Sequence, residues 1–271
     1  MKKLLCFDLD GTLLRDDKSI PQNNIEAVKR AINAGCSVSI VTGRSYNSSI
    51  QIVKELDLIQ ENCYLISFQG NAVFSLWDHK LIYESGLQKK EVVSILKDLN
   101  ANGLYAHTFD YDGIISNDDC TNLRLYNSIA SEPVTFLDNW DKLKDRIYPK
   151  VIAIDFSSSK GLEHYQKKNL EKYEKQRIAC FFSDPKFLEF TAISSSKGNA
   201  VLELAKHLKI ATEDIISIGD ERNDISMISA AGIGCAVANA RPEAKEVADY
   251  ITENNNNQGA VAEVIERFIF S

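Results

Sequence analysis

The amino-acid sequence predicts an α/β protein with a Rossmann-like parallel sheet core, interrupted by an inserted α+β domain. Three observations support this prediction. Apolar runs of strand length alternate with helical patterns at the start of the chain, the order breaks down in the middle, and it returns toward the end. We therefore expect a core of residues 1–82 and 186–271, with an α+β insertion of residues 83–185 between its two parts.

The first part of the predicted core reads as β-α-β-α-β. Pro21 suits the first turn of a helix, and Gly35 lies where a helix C-terminal cap is expected. This order is typical of a parallel sheet with right-handed crossovers. The predicted elements are a strand at 4–7, a helix between Pro21 and Gly35, a strand at 37–41, a helix at 45–56 and a strand at 64–68.

The middle of the chain has a different pattern. A hairpin is predicted at 72–77 and 81–84, followed by short strands mixed with polar helices, which is typical of an α+β insertion. The predicted strands of the insertion are 105–109, 151–156 and 179–182, and its predicted helices are 89–102, 121–129 and 161–175.

The last part of the chain returns to alternating strands and helices. Strands are predicted at 186–191, 215–218, 234–237 and 250–251, and helices at 197–208, 224–231, from Pro242, and at 261–268.

The composition is that of a globular protein and argues against some partners. Of the 271 residues, 44% are hydrophobic and 25% charged, and the formal net charge is −7. A nucleic acid or an acidic membrane would favour a basic surface, so we expect neither as a partner. The six cysteines show no paired spacing, and no apolar run has membrane-spanning length. We expect a cytoplasmic protein.

Two carboxylates follow the first predicted strand. Asp8 and Asp10 are two residues apart, so their side chains start on the same side of a strand. Two ionised carboxylates ~4 Å apart repel by roughly 4 kcal/mol at an intermediate dielectric. A divalent cation would relieve this repulsion, and Mg²⁺ prefers such oxygen ligands. An isolated Asp-x-Asp is better explained as an acidic strand end that caps the next turn.

Three further polar loops decide between these interpretations. Thr42-Gly43 follows the second strand and resembles a receptor for a phosphate oxygen, although such turns are common. Lys197 opens a helix, where it could hold an anion or simply lie on the surface. The segment 219–224 follows another strand, and its Asp224 could merely cap the next helix. Four aspartates from two strand ends at one sheet edge, Asp8, Asp10, Asp220 and Asp224, favour a functional site.

These motifs resemble those of the haloacid dehalogenase (HAD) superfamily, specifically its Cof-type phosphatases with a C2-type cap. The resemblance covers essentially the whole chain. The four motifs occur in the family's order, and the insertion lies where this branch carries its cap. They are Asp8-Leu9-Asp10-Gly11-Thr12, Thr42-Gly43-Arg44, Lys197-Gly198 and Gly219-Asp220-Glu221-Arg222-Asn223-Asp224.

The resemblance implies a role for each matching residue. Asp8 would attack phosphorus to give an aspartyl-phosphate, and Asp10 would act as general acid and base. Asp10 would then be protonated while Asp8 is ionised. Mg²⁺ would be held by Asp8, the carbonyl of Asp10, and Asp220. The implied phosphate ligands are Leu9 through its N–H, Thr42, Gly43, Lys197 and Asn223. Asp224 would support this shell, and Arg44 is a candidate substrate contact with an equal case for a surface role.

One departure from the family pattern concerns the loop after the third strand. The family's Asn-Gly-Ala triplet is replaced by Gln69-Gly70-Asn71-Ala72, so a substrate contact by Asn71 is not carried over.

The resulting hypothesis is a Mg²⁺-dependent hydrolase that removes phosphate from small metabolites, either sugar phosphates or phosphorylated cofactors. An acid/base at residue 10 favours turnover, since transport ATPases of this superfamily have threonine there. A phosphosugar mutase using the same residues, and a non-catalytic phosphometabolite sensor, are the alternatives. We expect a monomer or small homo-oligomer. A cluster of polar and aromatic residues at 105–112 would either line the cap or form an ordinary exposed strand and turn.

Overall fold

A computed structural model describes residues 3–271, which fold into two compact units. The first unit contains residues 3–44, 49–83 and 196–271, and the second contains 45–48 and 84–195. The strands in chain order are β1 Leu4–Phe7, β2 Ser37–Val41, β3 Cys63–Ser67, β4 Ala72–Ser75, β5 Leu81–Glu84, β6 Leu87–Gln88, β7 Ala106–Asp110, β8 Gly113–Ser116, β9 Val134–Phe136, β10 Ile147–Tyr148, β11 Val151–Ile154, β12 Ile178–Asp184, β13 Phe187–Ala192, β14 Ile215–Gly219, β15 Ile233–Ala236 and β16 Tyr250–Ile251. The α-helices are α1 Gln22–Asn33, α2 Tyr46–Glu55, α3 Lys89–Ala101, α4 Thr121–Ala130, α5 Lys160–Lys175, α6 Lys197–Leu208, α7 Ile225–Ala230, α8 Pro242–Glu246 and α9 Ala260–Ile269.

The first unit is built on an eight-stranded sheet in the order β16-β15-β14-β1-β2-β3-β4-β5. β1 lies near its centre and pairs in parallel with β14 on one side and β2 on the other. All four residues of β1 are buried, as expected for an apolar strand covered on both faces. Strands β14, β15 and β16 continue the parallel pairing, and β4 runs antiparallel to β3. The predicted α/β class with a parallel core is confirmed.

Helix ends in the first unit follow the predicted signals with one adjustment. Gly35 adopts a φ of +89° just after α1, a conformation that glycine reaches without steric cost. Pro21 stands immediately before α1 rather than inside its first turn. Helix α9 packs against α1 and buries its apolar side, including Val261, Val264 and Ile265. No helix within residues 3–271 is both long enough and apolar enough to cross a bilayer.

The second unit contains a six-stranded sheet in the order β12-β13-β11-β7-β8-β9. Helices α3 and α5 contribute to one hydrophobic cluster with this sheet, which includes Leu96, Leu162 and Phe190. Strands β8 and β9 carry no prediction from the sequence, because each has at most four residues and shows no clear period.

Strand β13 corrects the predicted boundary at residue 186. It was expected to begin the returning core, but it pairs antiparallel with β12 and β11 inside the second unit. The first unit resumes at Ser196. Hydrophobic patterning identifies a strand but does not specify its partners, and the hairpin with β12 is decided by pairing in three dimensions.

The polar cluster at 105–112 is buried only in part. His107 is fully buried and its Nδ1 lies 3.1 Å from the hydroxyl of Tyr105, so the expectation of an ordinary exposed strand is wrong at this position. Lys150 and Glu189 form an ion pair at 2.9 Å with both side chains about nine-tenths buried. Burial lowers the pKa of His107 to about 3, and the charge of Lys150 acts in the same direction. His107 is therefore neutral at physiological pH.

Acidification is expected to destabilise the protein through His107. As the pH falls below about 6.5, the unfolded chain binds a proton that the folded chain does not, so the free energy of unfolding decreases until the pH reaches about 3. In denaturant titrations at several pH values, the free energy of unfolding of His107→Phe should depend less on pH than that of the unaltered chain. The matching variant of the exposed His164 should behave like the unaltered chain, and equal pH dependence in both variants would contradict this assignment.

Candidate active site

The predicted site residues lie at one edge of the first unit's sheet. Asp8 directly follows β1, Thr42 directly follows β2, and Asp220 directly follows β14. These three strands are adjacent and parallel, so their carboxyl ends meet at the same edge. Lys197 is the first residue of α6, whose N-terminus is capped by the Ser196 hydroxyl accepting from the Asn199 N–H. Asn223 and Asp224 end a short 3₁₀ turn after β14.

A buried lysine links two of the acids. The ammonium of Lys197 donates to Oδ1 of Asp8 at 2.6 Å and to Oδ1 of Asp224 at 2.5 Å, and Lys197 is only 2% exposed. These two carboxylates raise the pKa of Lys197 despite its burial, so the side chain is a permanent cation. Sequence alone left a surface lysine open, and the burial excludes that interpretation.

Asp224 orients the loop that carries Asp220. Its Oδ2 accepts from the backbone N–H groups of Asp220 and Glu221, both at 3.0 Å. The side chain of Asp224 makes no capping hydrogen bond to α7, so the expectation that it merely caps the next helix is wrong, and it binds Lys197 and the backbone of the preceding loop instead. With no exposed surface, its carboxylate is fixed by these contacts.

Asp220 is held by the loop after β1. The buried hydroxyl of Thr12 donates to Oδ1 of Asp220 at 2.8 Å. A Cβ at Gly11 would lie 2.4 Å from Oδ2 of Asp220, which is too close for any larger residue. Gly11 also has a φ of +82°, a backbone conformation that favours glycine. Thr12 belongs to the first motif, but its contact with a residue 208 positions away is visible only in the structure.

Asp10 is paired with two cations. The guanidinium of Arg44 donates to both carboxylate oxygens, at 2.8 and 2.6 Å, and the ammonium of Lys18 donates to Oδ1 at 2.8 Å. Partial burial raises the pKa of Asp10, but the hydrogen bonds from Arg44 and Lys18 outweigh it and hold the pKa below its ordinary value. Arg44, the candidate substrate contact, is thus placed on Asp10. Lys18 was not singled out from the sequence, because a lysine in a charged loop carries no distinctive signal.

The loops that carry the remaining predicted phosphate ligands are joined through Gln69. The Nδ2 of Asn223 donates to Oε1 of Gln69 at 2.9 Å, and a Cβ at Gly43 would lie 2.5 Å from Nε2 of the same side chain. The Gln69 N–H also donates to the Thr42 carbonyl at 3.0 Å. Gln69 therefore contacts two of the predicted site loops, although the sequence analysis assigned it no role.

The backbone at this position is unusual. Phe68 and Gln69 both have positive φ, 51° and 59°, which is uncommon for residues other than glycine and often marks a functional site. The following Asn71 is 1% exposed and its Nδ2 donates to the carbonyl of Phe68 at 2.6 Å. The structure thus directs Asn71 into its own turn and Gln69 toward Asn223. In the sequence, only the departure from the family's Asn-Gly-Ala triplet indicated that this loop differs.

The acidic residues of the site fit a hard divalent cation. One carboxylate oxygen from each of Asp8, Asp220 and Asp224 can be chosen so that all three lie within 4.8 Å of one another, and all three residues are buried. Burial raises the pKa of Asp8 to about 8, against the lowering effect of Lys197, and burial raises that of Asp220 to about 7. Three buried carboxylates face one buried lysine, and these oxygen donors suit Mg²⁺.

Comparisons with known proteins agree with this geometry. The profile of the haloacid dehalogenase-like hydrolases matches residues 5–265. The chain is 33% identical over 276 residues to a Bacillus subtilis (strain 168) protein named "Putative phosphatase YxeH", with both chains fully covered. It is 27% identical over 292 residues to 5-amino-6-(5-phospho-D-ribitylamino)uracil phosphatase YwtE of the same organism, covering 98% of each chain. A haloacid dehalogenase-like hydrolase from Bacteroides thetaiotaomicron superposes with a TM-score of 0.88 at 26% identity, covering 99% of this chain and 100% of its own.

Proposed function

The chain belongs to the haloacid dehalogenase-like hydrolases, and on that premise we propose that it is a Mg²⁺-dependent phosphatase of small phosphorylated metabolites. The predicted enzyme class, a phosphoric monoester hydrolase, agrees with the family and with the names of its relatives. The observation that carries the proposal is the buried ion cluster in which Lys197 joins Asp8 to Asp224 beside Asp220.

Asp8 is the proposed nucleophile. Its carboxylate attacks phosphorus, the bond to the leaving oxygen breaks, and an aspartyl-phosphate forms. Lys197 binds Oδ1 of Asp8 and so orients the side chain, and it also offsets part of the negative charge of an arriving phosphate. A non-catalytic phosphate sensor would not need a buried carboxylate at this point, because that charge repels the phosphate it would have to bind.

Asp10 is the proposed proton carrier. It donates a proton to the leaving alcohol and later removes one from the water that cleaves the aspartyl-phosphate. To act as an acid it must leave its ion pairs with Arg44 and Lys18, which favour the carboxylate. We propose that the substrate phosphate competes for these two cations, and that Arg44 then contacts the substrate.

The metal-binding residues of the proposal are Asp8, the backbone carbonyl of Asp10, and Asp220. Mg²⁺ bound there would favour the ionised form of Asp8 and offset charge on the transferring phosphoryl group. Thr12 positions Asp220 for this role, and Asp224 supports it through the backbone of residues 220 and 221. The proposed phosphate ligands remain Leu9, Thr42, Gly43, Lys197 and Asn223, and Gln69 positions Asn223 by accepting a hydrogen bond from its amide.

The proposed substrates are sugar phosphates or phosphorylated cofactors. The relative named as a ribitylaminouracil phosphatase supports a polyhydroxylated monophosphate ester among the candidates. The second unit, proposed as residues 83–185 from the sequence and extended here to 195, is the proposed source of specificity. We also propose a cytoplasmic location, because the six cysteines show no paired spacing. The proposed oligomeric state is a monomer or a small homo-oligomer.

A turnover screen tests the proposed function. The purified chain is incubated with a panel of phosphorylated metabolites, and inorganic phosphate is measured with Mg²⁺, with a chelator, and after Mg²⁺ is added back. We expect release that is lost with the chelator and restored by Mg²⁺. Transfer of phosphate to another hydroxyl without release would indicate a mutase. Binding of panel members without any turnover would contradict the proposal and favour the sensor.

A further inference from the structure

The loop that follows Asp10 is held by side-chain amides from three separate segments of the chain. Residues 11–16 form neither helix nor extended strand, so several of their carbonyls need partners outside the regular backbone pattern. The Nδ2 of Asn239 donates to the carbonyl of Gly11 at 2.8 Å, that of Asn24 to Leu13 at 3.2 Å, and that of Asn256 to Leu14 at 3.0 Å. We call Asn24, Asn239 and Asn256 the asparagine clamp.

Each clamp residue is itself anchored. The Oδ1 of Asn24 accepts from the Ala262 N–H in the first turn of α9 at 2.9 Å, and the Oδ1 of Asn239 accepts from the N–H of Asn256 at 2.9 Å. Asn24 is fully buried and Asn256 is 3% exposed, whereas Asn239 is exposed. Asparagine amides can donate and accept at once, which lets Asn24 and Asn239 connect the loop to another segment.

A second set of contacts closes the far end of the loop. The Nδ2 of Asn256 also donates to Asp16 at 2.9 Å, and Asp16 accepts from Nδ2 of Asn257 at 3.1 Å. In return, the N–H of Asp16 donates to Oδ1 of Asn257 at 3.1 Å. The asparagine run at 254–257, whose composition suggests only a polar loop, is therefore in contact with the loop after Asp10.

One carbonyl bound by the clamp, that of Gly11, lies between two residues of the proposed site. Gly11 follows Asp10, and Thr12 carries the hydroxyl that holds Asp220. The Gly11 carbonyl bound by Asn239 belongs to the peptide between Gly11 and Thr12, so its orientation constrains the backbone that presents both Asp10 and Thr12. None of the clamp contacts involves a carboxylate of Asp8, Asp10 or Asp220.

We propose that the asparagine clamp positions Asp10 for proton transfer by fixing the backbone of residues 11–16. Its members are positioning residues, since they act through the loop and not on the substrate. The proposal rests on the proposed phosphatase activity for its kinetic consequence only. A loop released from the clamp would present Asp10 in several orientations, and proton transfer to the leaving group would become less effective.

The kinetic test compares leaving groups. An aryl phosphate needs little protonation of its leaving oxygen, whereas an alkyl phosphate depends strongly on a general acid. Asn256→Ala and Asn239→Ala are expected to lower the ratio of kcat/KM for an alkyl phosphate to that for an aryl phosphate by about tenfold, in the same direction as Asp10→Asn. General loss of stability would reduce both rates together and leave the ratio unchanged.

The structural test does not need activity. Amide hydrogen exchange of the peptide covering residues 11–16 is expected to be about tenfold faster in Asn256→Ala than in the unaltered chain. Asn102→Ala is the matched control, because its Nδ2 also donates to a backbone carbonyl, that of Asp98 at 2.8 Å, but on an exposed turn of the second unit. This control should change neither the exchange of residues 11–16 nor the ratio of rates.

Two results would overturn the proposal. One is unchanged exchange of residues 11–16 in both clamp variants, and the other is an unchanged ratio of rates in variants whose loop exchanges faster. The exposed position of Asn239 makes its variant the one least apt to impair folding, so a folding failure of Asn256→Ala leaves the test intact. If the unaltered chain released no phosphate from any ester, the proposed function would fail, and the exchange result would still decide whether the clamp holds the loop.

Discussion

Replacing Asp8 with asparagine is expected to abolish Mg²⁺-dependent phosphate release, with a loss of about 10⁴-fold or more, as for other enzymes that lose a nucleophile. The amide keeps the shape of the side chain but cannot attack phosphorus. The fold should survive, because Lys197 retains Asp224 as an ionic partner and the amide oxygen can still accept its hydrogen bond. Phosphate release from an aryl phosphate measures the loss, and denaturant unfolding checks the fold.

The control for this variant is an aspartate outside the site. Asp138 has a side chain that is 72% exposed and pairs with Lys142 in a surface ion pair, so Asp138→Asn should keep full activity. Trapping the covalent intermediate with a rapid acid quench should find phosphate bound to the unaltered protein and none bound to Asp8→Asn. Appreciable turnover by Asp8→Asn would require a different nucleophile and would refute the mechanism.

Replacing Lys197 with methionine is expected to remove activity and also to destabilise the first unit. The lysine neutralises Asp8 and Asp224, and its side chain is 1% exposed. Removing one partner from a buried ion pair typically costs about 3–5 kcal/mol, since the remaining charges lie uncompensated. We therefore expect the free energy of unfolding to fall by about this amount, as measured by denaturant titration with and without Mg²⁺.

The same helix offers a matched control. Lys206 pairs with Glu203 at 3.4 Å, but its side chain is 77% exposed, and exposed pairs contribute at most about 1 kcal/mol. Lys206→Met should therefore leave both activity and stability nearly unchanged. Equal stability of Lys197→Met and Lys206→Met would mean that the buried cluster does not depend on its lysine.

The sheet edge and its four polar loops could be predicted from local patterns. Short apolar runs followed by glycine turns mark the ends of parallel strands, and in a parallel sheet those ends share an edge. This reasoning placed Asp8, Thr42 and Asp220 after strands that prove to be neighbours. The family prediction, which rests on the same motifs, is confirmed by the match over residues 5–265.

The polar side chains around these motifs could not be predicted in the same way. Gln69 contacts Asn223 from a turn in which residues 68 and 69 both have positive φ. Neither phenylalanine nor glutamine predicts that conformation. The pairing of Asp10 with Arg44 and Lys18 joins residues from separate loops, so its effect on the pKa of Asp10 is a property of the folded chain. Strand β13 illustrates the same limit for the fold, because its pattern does not identify its sheet.

By itself, then, the sequence determined the fold class, the family, and the residues of the proposed reaction, because each depends on short motifs and on the period of the apolar residues. The tertiary structure decided which charges are buried together, that Gln69 is the hydrogen-bond partner of Asn223, and how the loop after Asp10 is held. The asparagines at 24, 239 and 256 converge on one loop only after the chain has folded. Contacts between such distant residues leave no periodic signal, since they arise from the packing of whole elements against one another.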